Sequence, residues 1–197
     1  MGVKTANRST IYLKGIYPAE DFKIVKKYDI RLVMTIDDSL IFYLRKLLPQ
    51  VEAWLMAGKI QKLVMAIIDC DSRETLERWQ FDIQVIDDFN TSTTNNNNNN
   101  NNNTSITTKK EKTIKEIQTE IREIIRQITS SVSFLPTLID KCTFNILAYT
   151  DKDAEVPVEW GDSDPHIIEN AEQVRLRSFS TNYHRVDSMV SYKLEDL

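Results

Sequence analysis

The feature that most limits the possible folds of this chain is a run of nine consecutive asparagines, Asn95–Asn103. It lies in a stretch from Asn90 to about Thr108 that consists mainly of asparagine, threonine and serine. Such a stretch cannot bury enough apolar surface to offset the entropy lost on ordering. Because long surface loops cost little free energy, we predict that residues 90–108 form a disordered loop inserted into a single domain spanning residues 1–197.

Two amphipathic helices are predicted, one on each side of this insertion. The first begins behind Asp37 or Asp38, either of which can cap it, is kinked at Pro49, and ends at Gly58. Its apolar face follows the helical spacing of Leu40, Ile41, Leu44, Leu47, Leu48, Val51, Trp54 and Leu55. The second has a face of isoleucines at Ile114, Ile117, Ile121, Ile124, Ile125 and Ile128.

The remaining apolar segments predict strands. A strand within Tyr28–Ile36 pairs with the stretch around Ile24–Lys27, and Leu63–Ile68 reads as a buried strand. In the next strand Trp79, Phe81, Ile83 and Val85 face the core, whereas Gln80, Asp82 and Gln84 face solvent. Further strands are expected at Cys142–Tyr149 and, after an acidic loop over Asp151–Gln173, at Val174–Tyr183 and Val186–Leu194. The fold class is therefore α+β, with helices packed on an antiparallel sheet.

Composition excludes several classes of function. The formal net charge of −4 gives no general attraction for nucleic acid, and no apolar run reaches the length of about 20 residues that spans a bilayer. The four glycines are too scattered for a dinucleotide or Walker-type phosphate loop. Two cysteines cannot build a disulfide framework, which favours a reducing compartment. We expect no cofactor.

No residue pattern indicates catalysis. Cys70 or Cys142 could pair with His166 or His184, but both cysteines lie in apolar strand contexts, where cysteine is usually inert. The acidic loop around His166 lacks the spacing of a calcium motif. We therefore expect a binding protein without enzymatic activity or a bound metal, in which a sheet edge accepts an added strand.

Several strings resemble one family. They include Lys14-Gly15-Ile16-Tyr17-Pro18, Leu76-Glu77-Arg78-Trp79-Gln80-Phe81-Asp82-Ile83, Ile124-Ile125-Arg126-Gln127-Ile128-Thr129, Phe134-Leu135-Pro136, Tyr149-Thr150-Asp151-Lys152-Asp153 and Val174-Arg175-Leu176-Arg177-Ser178-Phe179. These strings follow one another as they do in the HORMA-domain family. From about Ile11 to Leu194 the chain therefore resembles that family, and within it the spindle assembly checkpoint members.

The resemblance implies a conformational switch. Residues 151–197 would be a mobile C-terminal safety belt that covers a sheet edge in an open form and wraps a partner peptide in a closed form. The function implied is to sequester the activator subunit of the anaphase-promoting complex and delay anaphase, in the nucleus, at kinetochores and spindle, and in the cytoplasm. The partners implied are that activator, mitotic arrest-deficient protein one, and a second copy of the chain. The alternative is a HORMA subunit of a translesion DNA polymerase, a structural adaptor in repair.

Site residues carry over from the resemblance one at a time. Residues expected to join open and closed copies are Arg126, Gln127, Phe134 and Arg177. Residues expected near the partner peptide are Trp79, Tyr149, Trp160, Val190 and Tyr192, although aromatic residues at strand spacing are more often core. Ser188 matches a phosphorylation site that disfavours the closed form.

The start of the chain departs from the family pattern. Family members have a long core helix before the Gly-Ile-Tyr-Pro string, whereas here only residues 1–14 precede that string. We expect this helix to be missing and the exposed faces of the other helices to leave the chain poorly folded, since the stability of a typical domain is only about 5–15 kcal/mol. An incomplete start to the sequence would explain this departure.

Overall fold

Two α-helices and eight β-strands form the part of the chain that the computed structural model describes, which is residues 16–86, 111–139 and 141–194. The helices are α1 (Asp38–Met56) and α2 (Ile114–Ser131). The strands are β1 (Phe22–Lys27), β2 (Ile30–Thr35), β3 (Ile60–Asp69), β4 (Thr75–Val85), β5 (Cys142–Thr150), β6 (Glu172–Arg175), β7 (Phe179–Ser180) and β8 (His184–Tyr192). The expected loop insertion at residues 90–108 and the expected loss of an N-terminal helix both lie outside the described residues.

Helix α1 begins and ends where its sequence signals predict. The Asp37 side chain accepts a hydrogen bond of 2.6 Å from the Leu40 amide, which satisfies one donor of the first turn. At the other end, Gly58 has a φ of 65°, and the Lys59 amide donates to the Trp54 carbonyl at 2.8 Å. This left-handed residue closes the helix as glycine commonly does. Pro49 lies within a single uninterrupted helix.

Helix α2 is held by its cap and by its isoleucine face. Thr113 and Glu116 form a reciprocal capping box at its first turn. Ile124, Ile125 and Ile128 are buried. Isoleucine is a middling helix former, so this packing rather than intrinsic propensity stabilises the helix. Within the described residues, neither helix is long and apolar enough to cross a membrane.

The main sheet is antiparallel, and its strands lie in the order β5-β3-β4-β8-β6, with β7 also paired to β8. Strands β1 and β2 form a separate hairpin. Both helices contribute to one core with the side chains of one sheet face, among them Met65, Ile67, Trp79, Ile146 and Val190. The opposite face is called the outer face below. The observed α+β architecture is the one predicted.

The prediction that Gln80, Asp82 and Gln84 of β4 face solvent is wrong for Gln80. Gln80 and Arg78, its neighbour on the same face, are only 8% and 9% exposed, whereas Asp82 is half-buried and Gln84 is exposed. The chain between β5 and β6 passes over this face, as described below, and covers the middle of β4. Burial by a distant segment of the chain cannot be predicted from the alternation of polar and apolar residues within one strand.

The prediction of one continuous strand over Val174–Tyr183 is also wrong. That segment divides into β6 and β7, and both pair with β8. Between them, the amide of exposed Arg177 donates to the side-chain oxygen of Gln127 on α2 at 2.6 Å. From Arg175, opposite Met189, to Phe179, opposite Val186, the chain advances four residues while β8 advances three, so one extra residue lies outside the ladder and divides the strand.

Candidate site for an added strand

Strand β5 is an edge of the sheet: among the described residues it pairs only with β3. The Cys70 amide donates to the Lys141 carbonyl at 2.9 Å, so the backbone of residue 141 points toward β3. Because antiparallel ladders alternate, the backbone groups of Phe144, Ile146 and Ala148 point outward. This edge presents a row of donors and acceptors to which another strand can bond.

The chain that follows β5, residues 151–171, is called the belt loop. Its first half lies on the helix side of the sheet. Trp54 of α1 donates from its indole nitrogen to the Glu155 carbonyl at 2.9 Å. The Trp54 and Trp160 rings meet edge to face with centroids 4.9 Å apart. Such an aromatic pair contributes about 0.5–1.5 kcal/mol to stability, in addition to the contribution from burying the two rings.

The start of the belt loop is held by polar contacts to the first residues of β3 and to Lys59 just before it. Lys59 and Asp153 form an ion pair of 2.7 Å, and Gln61 donates to Asp151 at 2.5 Å. The hydrogen bond with Lys59 holds the pKa of the Asp153 carboxyl below its ordinary value, and the same bond raises the pKa of Lys59. These contacts fix the direction in which the loop leaves β5.

The second half of the belt loop lies on the outer face. Asn145 of β5 donates to the Ser163 hydroxyl at 3.3 Å, and Arg78 of β4 donates to the Pro165 carbonyl at 3.3 Å. Since Trp160 contacts α1 while Pro165 contacts the outer face, the loop passes around the outward edge of β5. A strand that paired with this edge would be enclosed by the loop.

A cavity of about 710 Å³ separates the belt loop from the β5 edge. Its lining comes from α1, β5 and the loop, and includes Tyr43, Lys46, Ile146, Tyr149 and Trp160. Burial raises the pKa of Tyr43, and hydrogen bonding from the Ile146 backbone acts in the opposite direction. The Tyr43 phenol therefore lies at one of the outward-pointing groups of the edge. The half-open space and the exposed backbone groups suit an extended peptide.

The strands that follow the belt loop are fastened to the start of α2. Lys112 donates from its ammonium group to the Ser180 hydroxyl at 2.7 Å and pairs with Glu120, which accepts from the Ser180 amide at 2.9 Å. Asn182 bonds to both the amide and the carbonyl of Lys112. Burial alone would raise the pKa of Glu120, but the bonds from Lys112 and Ser180 outweigh it and lower that pKa.

The structure brings two of the five expected peptide-binding residues to the cavity, Tyr149 and Trp160. Trp79 and Val190 are opposite each other on β4 and β8 and are at most 1% exposed, so both are core residues in this arrangement. Tyr192 lies near the end of β8, opposite Glu77. A direct contact of any of the five with a peptide stays a prediction.

The expected copy-to-copy residues lie close to one another around the C-terminal half of α2. Arg126 is exposed and forms a hydrogen bond of 3.2 Å with Glu123, and Phe134 is 48% exposed. Gln127 and Arg177 are joined by the bond described above. Ser188, the expected phosphorylation site, is 4% exposed and faces the core opposite Phe81. Within the described residues its hydroxyl has no hydrogen-bond partner.

The histidines considered for catalysis have other partners. His166 Nδ1 lies 3.0 Å from the Thr75 hydroxyl, and His184 Nε2 lies 3.1 Å from the Leu55 carbonyl. Neither Cys70 nor Cys142 forms a disulfide in the described part of the chain. In the described part of the chain no cluster of three histidine, cysteine, aspartate or glutamate residues could hold a metal ion.

Sequence reasoning missed Tyr43 and Arg78. Tyr43 stands at a polar-looking position of α1, and its ring meets Phe144 edge to face at 5.9 Å. Arg78 falls on the face of β4 that alternation assigns to solvent. A large aromatic residue beside the polar stripe of α1 was the available signal for Tyr43. Nothing in the local sequence marks Arg78.

Comparison with known proteins agrees with this geometry. Residues 3–184 match the HORMA domain family. The mitotic spindle checkpoint component mad2 of Schizosaccharomyces pombe is 46% identical over 96% of this chain and 87% of its own length. The human mitotic spindle assembly checkpoint protein MAD2A is 46% identical over 94% of this chain and 84% of its own length. A chain of the crystal structure of the mitotic checkpoint complex is 42% identical with a TM-score of 0.81, covering 97% of this chain and 94% of that one.

Proposed function

Since this chain belongs to the HORMA domain family, we propose that it is a spindle assembly checkpoint adaptor that acts by holding a partner peptide rather than by catalysis. The relatives that support this role are checkpoint proteins with 46% identity over most of both chains. The alternative role, as a subunit of a translesion polymerase, is disfavoured because these relatives carry checkpoint names.

The observation that carries the proposal is the enclosed edge of β5. Its outward groups at Phe144, Ile146 and Ala148 provide backbone bonds of the kind that bind an added strand. The belt loop contacts α1 on one side of this edge and β4 on the other. A bound strand would leave only after the loop had opened, so that release would be slow even where the individual contacts are weak.

We assign the arrangement described here to the closed form of the proposed switch. Strand β8 lies beside β4, on the side of the sheet away from β5, and β5 is left available. An open form requires β7 and β8 to leave α2 and β4. Two such packings of one sequence need differ by only a few kcal/mol for a bound peptide to decide between them.

Phosphorylation of Ser188 would act against the closed form. Its hydroxyl faces the core, so a phosphate dianion there would lose its water without gaining a partner. The residue becomes accessible to a kinase only when β8 leaves the sheet. Asp187 beside it already carries a negative charge, but it lies opposite Asp82 on the outer face and does not replace this effect.

The proposed partners are the activator subunit of the anaphase-promoting complex, which is sequestered, and mitotic arrest-deficient protein one, which anchors the adaptor at kinetochores. Through these associations the chain would act in the nucleus, at mitotic kinetochores and on the spindle, and also in the cytoplasm. No direct binding of nucleic acid or membrane is part of the proposal.

Peptide binding can be tested with a proline at the β5 edge. Because the Ala148 amide points away from β3, Ala148→Pro removes one outward donor without breaking the ladder. The matched control is Gln173→Pro on β6, the opposite edge. The Leu176 amide donates inward to the Ser188 carbonyl, so the Gln173 amide points outward as well.

The probe is an array of overlapping peptides of about fifteen residues that covers both proposed partners. We expect the unmodified chain and Gln173→Pro to bind the same peptides, and Ala148→Pro to lose them while its circular dichroism spectrum is retained. Equal binding by both proline variants would contradict binding at β5. No binding from the array, with capture of polymerase subunits instead, would favour the alternative role.

Pairing of two copies is proposed to use Arg126, Gln127, Phe134 and Arg177. Arg126→Glu reverses an exposed charge at the centre of this patch and should abolish dimers in sedimentation velocity. Lys115→Glu, an exposed position at the other end of α2, is the control. Persistence of the dimer in Arg126→Glu would remove α2 from the interface.

A further inference from the structure

We propose that two contacts on the outer face, from Arg78 to Pro165 and from Thr75 to His166, form a clasp that sets how fast a strand enters and leaves the belt loop. This inference rests on the proposed function, because it concerns the same groove. It assigns Arg78 and Thr75, both on β4, as positioning residues for the loop, since neither lines the cavity.

The Arg78 side chain is held in place from several directions. It is 9% exposed and donates to the side-chain oxygen of Gln80, and its other terminal nitrogen lies 3.5 Å from the Tyr149 hydroxyl. Its Nε donates to the Pro165 carbonyl at 3.3 Å. A guanidinium fixed in this way presents a directed donor to the loop without losing much further rotamer freedom.

The supports of Arg78 extend across the outer face. Gln80 donates to both carboxylate oxygens of Asp82 at 2.9 and 2.8 Å. Asp82 pairs with Lys62 of β3 at 3.5 Å, and the Lys62 ammonium group lies 5.4 Å from the centre of the Tyr149 ring. This network connects the clasp with a residue that lines the cavity, Tyr149.

The second contact of the clasp follows directly in sequence. Thr75 and His166 share a hydrogen bond of 3.0 Å between the hydroxyl and Nδ1. His166 has a φ of 51°, a conformation that costs free energy for a residue other than glycine. The bond to Thr75 therefore stabilises a turn that the backbone alone disfavours.

The belt loop is attached more firmly on the helix side of the sheet than on the outer face. On the helix side Trp160 packs against Trp54, whereas the segment from Gly161 to Pro165 is exposed. The outer side is thus attached by a small number of polar contacts, and opening starts there. Since Arg78 and Thr75 do not line the cavity, the clasp is proposed to stay unchanged when a strand is bound, so weakening it lowers the barrier to entry and to release alike.

The rates can be measured with Thr75→Val, which removes the hydroxyl and keeps the shape and strand preference of the side chain. Arg78→Lys is the second variant, since lysine keeps the charge but cannot make the same set of directed bonds. The control is Thr129→Val on α2, which removes a hydroxyl that donates to the Ile125 carbonyl at 2.8 Å. The probe is the tightest-binding peptide of the array, labelled with fluorescein and followed by stopped flow and by competition with unlabelled peptide.

Loss of one hydrogen bond predicts association and dissociation rates both about fivefold higher in Thr75→Val, and about tenfold higher in Arg78→Lys. The dissociation constant should stay within about twofold, which separates the clasp from a groove contact, whose loss raises the dissociation rate alone. Thr129→Val should leave both rates unchanged. Unchanged rates in both clasp variants, or a change in dissociation alone, would overturn the inference.

Hydrogen exchange of the chain without peptide tests the clasp independently of the proposed function. The Trp160 and His166 amides, which donate within the loop, should exchange faster in Thr75→Val than in Thr129→Val. Faster exchange together with no peptide binding would refute the proposed function and leave the clasp standing. Unchanged exchange would refute the clasp whatever the peptide does.

Discussion

Replacing the buried Ser188 by alanine should stabilise the closed form. The Ser188 hydroxyl is buried and has no hydrogen-bond partner among the described residues. An unpaired hydroxyl in a protein interior costs about 1–3 kcal/mol. Alanine keeps the β-carbon and leaves a gap of only one oxygen, so removing the unpaired hydroxyl should raise the free energy of unfolding by part of that amount. We take the gain as about 1 kcal/mol, which raises the melting temperature of a domain of this size by about 2–4 °C.

Ser188→Asp is the opposite perturbation at the same atom. A carboxylate opposite Phe81 has neither water nor a partner, and burial raises the pKa of such a group by up to about 3–5 units. The cost at neutral pH is about 4 kcal/mol, which is a large part of the stability of about 5–15 kcal/mol of a typical domain. When β8 leaves the sheet, the carboxylate regains water, so the variant shifts the balance away from the closed form by about a thousandfold.

The assay combines thermal unfolding with binding of the labelled peptide. Ser188→Ala should melt higher than the unmodified chain and bind at least as tightly, whereas Ser188→Asp should fold but bind poorly. The control is Ser130→Asp, at an exposed position on α2. A lower melting temperature for Ser188→Ala would show that the hydroxyl is satisfied in solution. Unaltered peptide binding by Ser188→Asp would show that β8 does not need this position to be uncharged.

Three other predictions follow from local structure. Glu120→Gln should reduce the loss of stability in acid. Because the pKa of Glu120 is lowered in the folded chain, its stabilisation is present above the unfolded pKa of about 4.3 and is lost as pH falls through the folded pKa. Urea unfolding between about pH 6 and 3.5 would detect the difference. Gly58→Ala should cost about 1 kcal/mol, because the residue has a φ of 65° and the new β-carbon would lie 3.3 Å from a methyl of Val85; an unchanged melting temperature would contradict this. Pro49→Ala should raise stability by up to about 3 kcal/mol, since Pro49 is exposed inside α1 and contributes no donor there; a lower denaturation midpoint would show that its ring packs favourably.

Local signals predicted the fold well because they act over a few residues. Asp37 and Gly58 bound α1 as expected, and the isoleucine spacing gave α2. The failures lie where the arrangement of other segments decides the outcome. The belt loop covers Arg78 and Gln80, and the register with β8 leaves one extra residue between β6 and β7 in the strand expected at Val174–Tyr183.

The candidate site was predictable in part. An acidic loop followed by late strands distinguishes residues 151–197 from the rest of the sequence, and the resemblance assigned Tyr149 and Trp160 to the groove that they line. The groove itself is made by the path of the loop around β5, from α1 to β4. That path depends on which face of the sheet each contact reaches, and a linear pattern does not encode it.

The enclosed edge of β5 also bears on how this protein stays in solution. An unpaired strand edge is a template on which identical chains can stack into aggregates. Here the belt loop stands in front of that edge with the carboxylates of Glu159, Asp162 and Asp164, which obstruct and repel the sheet of a second molecule. The same loop that would admit one flexible peptide thus protects the chain from polymerising through its own binding edge.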